Sequence, residues 1–244
     1  MMREITIDTS DGSASAGLFH PKAANPAASG VILFMDAFGP RPGLYEMAER
    51  LAAAGHIVLV PDLFYRHAPY GPFDAKTAFA TPETGDQIRS FLSSTTLAMN
   101  ERDTGHFIQA VTEAGATGKI GTTGYCMGGA RSLIAAAAYP DRVAAAASFH
   151  GGNLASDAAD SPHLRVATIR ARLYVGMAGV DRTFPPEQSR LLEQTLRDAG
   201  TDFIMENYAG VEHGWAVPDH RVFDPKGAER HWQRMLTLFD ETLG

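Results

Sequence analysis

The sequence predicts a doubly wound α/β protein, a mostly parallel sheet held between two helical layers in one domain over residues 1–244. Three observations carry that reading. Apolar runs such as Val31-Ile32-Leu33-Phe34-Met35 and Ile57-Val58-Leu59-Val60 are continuous rather than alternating, as in strands buried on both faces of a parallel sheet. Segments with helical spacing separate these runs. The third is Gly124-Tyr125-Cys126-Met127-Gly128-Gly129, between an apolar run and an alanine-rich segment. It reads as strand, sharp turn and helix, with glycines where the backbone passes too close for a side chain.

Residues 3–9 and 15–20 are expected as short strands around a turn at Ser10-Asp11-Gly12, with 21–30 as a connecting loop. Strands follow at 31–35 and 56–60, separated by a helix at 44–54 that carries Leu44, Met47, Ala48 and Leu51 on one face and stops at Gly55. From 62 to 100 the periodicity weakens. This stretch holds Tyr65, Tyr70 and Phe73 among turn residues, and an excursion of that length is expected to form an active-site rim or lid. A helix is expected at 101–114, a strand at 119–124, the alanine-rich helix at 130–139, and strands at 143–149, 171–177 and 202–208. Pro185 and Pro186 open a helix closed by Gly200. A loop over 209–218 carries His213, and Ala228, Trp232, Met235, Phe239 and Leu243 mark a C-terminal helix.

Composition excludes several roles. A net charge of −7 and a pI near 5.7 argue against nucleic acid and anionic membranes as partners. No apolar run approaches the length of a membrane helix, and the N-terminus lacks the apolar core of a signal peptide, so a cytoplasmic protein is expected. The lone cysteine excludes an internal disulfide. Neither a metal site nor a cofactor is expected: the chain has no His-x-x-x-His pair or second cysteine, and Gly121 and Gly124 do not complete a dinucleotide fingerprint.

Ligands in such sheets lie at the carboxyl ends of the strands. Asp36, Cys126, Asp181 and His213 all fall just past such ends. Cys126, at the start of a helix, is placed as a nucleophile. Its chemistry needs a group to take a proton and later activate water, the work of histidine. His213 is expected to be that base, with His150 as its rival because it too follows a strand. Asp181 is expected to orient the imidazole, unless it caps the helix near Pro185. Nucleophile, acid and histidine then occur in the chain order of α/β-hydrolase triads. The backbone N–H groups of Ala37 and Met127 are the expected oxyanion hole.

With Gly124-Tyr125-Cys126-Met127-Gly128-Gly129, Asp181 before Phe184-Pro185, His213-Gly214-Trp215, Pro61-Asp62-Leu63-Phe64 and Phe38-Gly39, the chain resembles the dienelactone hydrolase family, carboxymethylenebutenolidase-like enzymes with a Cys-His-Asp triad. The resemblance implies an α/β-hydrolase fold and cleavage of small-molecule esters or lactones through a cysteine thioester. A thioesterase or other acyl hydrolase on the same residues is the alternative, as is a non-catalytic ligand-binding protein of that fold. It also implies a thiol-tuning role for Asp36, where well-known members carry glutamate. Their substrate-binding arginine, four residues after the histidine, is replaced by Val217. Tyr65, Tyr70, Phe73, His150 and Trp215 are the other expected pocket residues, and Val217 with the loop aromatics Tyr65, Tyr70 and Phe73 implies a preference for neutral, moderately apolar esters or lactones.

Overall fold

The computed structural model describes residues 2–23 and 27–244, so the expected 21–30 loop lies partly outside the described residues. Strands β1 (Met2–Thr9) and β2 (Gly12–Phe19) form a hairpin, followed by β3 (Gly30–Phe34), α1 (Pro42–Ala53) and β4 (Ile57–Pro61). Helices α2 (Pro82–Ser94) and α3 (Leu97–Glu113) precede β5 (Ile120–Tyr125) and α4 (Met127–Ala138). Then come β6 (Val143–Phe149), β7 (Arg172–Val180), α5 (Pro186–Asp198), β8 (Phe203–Glu212) and α6 (Pro225–Leu243). The sheet has eight strands in the order β1-β2-β4-β3-β5-β6-β7-β8; β1 and β2 pair antiparallel and every pairing from β4 to β8 is parallel.

Alternate residues of β5 meet opposite layers, as the two-residue period of a strand demands. A side chain at Gly121 would run into Phe239 and Leu243 of α6. Tyr125 reaches the same helix, its hydroxyl 3.0 Å from His231 Nε2. Thr122 points the other way, to Ser132 of α4 at 2.8 Å. On the α6 side, Arg50 of α1 pairs with Glu229 at 2.7 Å and covers the Trp232 ring. The all-buried strands β3, β4 and β5 therefore lie between two helical layers. Among the described residues no helix is long and apolar enough to cross a membrane.

Two differences from the expected elements bear on the site. The 62–100 stretch, read as weakly patterned, contains α2 and the start of α3, capped by the Thr81 and Thr96 side chains. Only Gly85, Ile88 and Phe91 of α2 are buried, so little apolar periodicity marks it. Strand β8 runs on to Glu212 instead of ending at 208, and β7 runs on to Val180. After a register shift Val180 pairs with Glu212, which sets Asp181 and His213 side by side.

Candidate active site

The turn after β5 is built by close approach. A Cβ on Gly124 would collide with the Gly128 carbonyl, and one on Gly128 would lie 2.6 Å from the Met35 carbonyl oxygen. With both glycines present, Cys126 sits at the N-cap of α4 with φ 55 and ψ −119, left-handed backbone that is unfavourable for a side-chain-bearing residue. Strain of this kind persists where surrounding structure over-determines it, and such positions cluster at functional sites.

Asp181, Cys126 and His213 are brought together. His213 Nδ1 lies 2.7 Å from Asp181 Oδ2, and the imidazole and Cys126 line the same two cavities. Thr183, which the sequence reading missed, sets this arrangement: its N–H and hydroxyl occupy Asp181 Oδ1 at 2.8 and 2.7 Å, leaving Oδ2 for the histidine. Those bonds place Asp181 in a local turn rather than at the cap of α5, whose N-cap is Pro185. Burial pushes the His213 imidazole toward neutrality, but the charge of Cys126 and the bond to Asp181 outweigh it and raise its pKa to about 10. Burial likewise works against the Asp181 charge, yet its bonds from His213 and Thr183 hold it below the usual carboxylate range. The Ala37 and Met127 N–H groups donate to no protein acceptor among the described residues.

His150 follows β6 as expected but has no carboxylate partner among the described residues; its Nδ1 accepts the Cys126 N–H at 3.1 Å. Asp36 lines the second lobe with Cys126, but the hydrogen bonds of its carboxylate go to Arg41 and the backbone. Arg41 takes both its oxygens, at 2.6 and 2.9 Å, and the Phe38 N–H donates to Oδ1 at 3.0 Å. Arg41 also bonds to Gly39 and, twice, to Asp219. All five of its N–H donors are thus engaged, clipping the turn after β3 to the loop after His213. The family resemblance drew attention to position 36 but gave no sign of its partner five residues on.

Two lobes of about 620 and 610 Å³ meet at Cys126, His213, Thr183 and Leu92. The first is the more polar of the two, with Arg131, Asn153, Ser156 and Ser161 in its wall beside Leu92, Leu97 and Ala130. Phe38, Phe79, Ala75 and Ala80 line the second, with Lys76, His220 and Arg221 beside them. Ala37 and His150 also line the second lobe, and Met127 the first.

Five of the expected pocket residues lie elsewhere. Tyr65 is buried, its hydroxyl 2.6 Å from the Thr9 hydroxyl, because Asp103 and Thr9 together satisfy it beneath the sheet edge. Tyr70 donates to Asp62 at 2.5 Å and packs with Phe73 against Phe91, so both aromatics support the excursion from below. Trp215 is fully buried against Tyr208 and His150. Val217 is also fully buried, because the 214–223 loop closes in successive turns: Val217 N–H to Gly214 O, His220 N–H to Val217 O. That winding brings His220 and Arg221 to the cavity in its place.

A strained cysteine at a strand-to-helix turn, with histidine and aspartate at neighbouring strand ends of a doubly wound sheet, places the molecule among the α/β hydrolases. The chain belongs to the dienelactone hydrolase family, whose model matches residues 15–243, and is a hydrolase of that family. It is 27% identical over 233 residues to a carboxymethylenebutenolidase of Rhodococcus opacus, covering 92% of this chain and 85% of that one. In fold it is similar to a Klebsiella pneumoniae protein provisionally named a dienelactone hydrolase, with TM-score 0.86, 21% identity and coverage of 99% and 98% of the two chains. It is also similar to a dienelactone hydrolase-like promiscuous phosphotriesterase from metagenomic libraries, with TM-score 0.80, 24% identity and coverage of 100% and 99%.

Proposed function

We propose that the enzyme cleaves ester or lactone bonds of small molecules through a thioester on Cys126. The observation that carries this reading is the convergence of Cys126, His213 and Asp181, with the last two 2.7 Å apart and the first two lining both lobes. Cys126 Sγ, as thiolate, attacks the carbonyl carbon, and the carbonyl π pair moves to oxygen. The Ala37 and Met127 N–H groups, which have no protein acceptor among the described residues, receive that oxyanion. As the intermediate collapses, the C–O bond to the leaving group breaks and His213 gives that oxygen its Nε2 proton. Water then attacks the thioester as His213 takes one of its protons; the acid product leaves and the thiolate–imidazolium pair is restored. Asp181, buried and locked by Thr183, keeps the Nδ1 proton in place throughout.

Neutral substrates were expected only on the strength of Val217 and the loop aromatics. With those side chains packed away from the cavity, the walls that meet a substrate are apolar at Phe79 and Leu92 and cationic at Lys76 and Arg221. The test of the mechanism is to quench turnover of p-nitrophenyl acetate and map the peptides by mass spectrometry. Acetyl is expected on the peptide containing Cys126, and Cys126→Ala should be folded and inactive. Acetyl on another residue, or turnover by the alanine variant, would falsify the thioester mechanism.

A further inference from the structure

The β5–β6 register pairs Tyr125 with Phe149, so the next residue of each strand, Cys126 and His150, are also neighbours. Both leave their strands in left-handed backbone, with φ 55 and 39. His150 is anchored from the other side as well, its N–H bonding to the Gly176 carbonyl at 2.8 Å. Its ring folds back over the turn, and Nδ1 accepts the nucleophile's own N–H at 3.1 Å, a proton shared with the Phe149 carbonyl at 3.2 Å.

An imidazole that accepts at Nδ1 must be neutral and carry its proton on Nε2. The surroundings enforce this. His150 is 1% exposed. Its ring stacks edge-on against His213 at 4.9 Å and Trp215 at 5.1 Å, and packs on Tyr125. Burial, and then the like charges of His213, His220 and His231, push its pKa well below that of free histidine. No carboxylate reaches it, and Nε2 has no partner among the described residues. A second base would need an orienting acceptor at one nitrogen and a free lone pair at the other. Here the only lone pair is spent on the backbone of Cys126.

We propose that His150 is a positioning residue for the nucleophile: its neutral ring pins the Cys126 amide and so sets the direction in which Sγ points. This rests on Cys126 being the nucleophile. The substitutions that test it change the acceptor, and two of the three keep the left-handed backbone. In His150→Asn the side-chain oxygen replaces Nδ1, and asparagine tolerates positive φ. His150→Gly tolerates it too but has no acceptor, and His150→Leu fills the space without one. With p-nitrophenyl acetate, the Gly and Leu variants should lose about 100-fold in kcat with little change in KM, the order of penalty for misplacing a reacting group by about an ångström. His150→Asn should stay within about tenfold of wild type. A folded His150→Gly or His150→Leu enzyme at wild-type kcat would overturn the proposal, as would a folded His150→Asn enzyme as slow as either. Asparagine cannot act as a base, so a parallel His213→Ala assay separates the two readings. If His213→Ala keeps its rate while every His150 variant is dead, the fault lies in the choice of base, and the proposed mechanism falls with it.

Discussion

The ends of the central strands and the wall that encloses them are held by different forces. Asp181, Cys126 and His213 sit one residue past β7, β5 and β8, so the register of the sheet fixes their spacing. The wall of the apolar lobe comes from the turn after β3, the 62–100 excursion and the 214–223 loop, held by side-chain contacts over long sequence distances. Arg41 to Asp219 and Arg66 to Asp103 are two of them. Substitutions at the strand ends should therefore act on turnover, and those in the wall on stability or KM.

The largest effect tests the strand-end half. Asp181→Asn should leave folding nearly unchanged and lower kcat by about two to three orders of magnitude. That is less than the roughly four orders of a serine triad, because a thiolate is the better nucleophile. The sign of the accompanying pH shift follows from the charges. Asp181 is among the groups that raise the His213 pKa to about 10, so its loss should move the alkaline limb of kcat/KM to lower pH. An Asp181→Asn enzyme with wild-type kcat and an unmoved limb would remove Asp181 from the mechanism.

The wall should answer differently. Asp36 is 1% exposed and owes its compensation to Arg41, so Arg41→Met leaves a buried carboxylate unpaired. Loss of one partner of a buried ion pair costs about 3–5 kcal/mol, measurable as a lower urea midpoint. Here a carboxylate first read as tuning the thiol is expected to report in the unfolding curve. A change below about 1 kcal/mol would mean that the clip between the two loops contributes little.

What the sequence made legible divides along the same line. Gly124 and Gly128 are local requirements, and the apolar runs of β3, β4 and β6 predict strands whose ends carry Asp36 and His150. Helix α2 was not legible, because it buries few residues and its capping pattern at Thr81-Pro82 stands alone. The same is true of Arg41, Thr183 and Phe79, whose roles depend on partners that only the fold supplies. Counting four residues from His213 to Val217 assumed a loop conformation. The turns at Gly214, Val217 and His220 bury the valine and turn Arg221 to the cavity instead.

That reversal supplies the finest test, because it sets two small effects against each other. Phe79 is 54% exposed, packs edge-on against Phe38 and lines the apolar lobe. Phe79→Ala should leave stability almost unchanged. A longer acyl chain gains about 0.8 kcal/mol for each methylene buried, so losing part of that contact should raise KM about threefold for p-nitrophenyl butyrate and less for the acetate. Val217 is buried and outside both lobes. Val217→Ala should therefore cost about 2 kcal/mol of stability through the space it leaves, with kcat and KM of the folded enzyme unchanged for both esters. Urea unfolding and steady-state kinetics on the two variants decide the matter. If Val217→Ala shifts KM between the esters while Phe79→Ala does not, the valine meets the substrate after all, and the loop must open from the conformation that buries it.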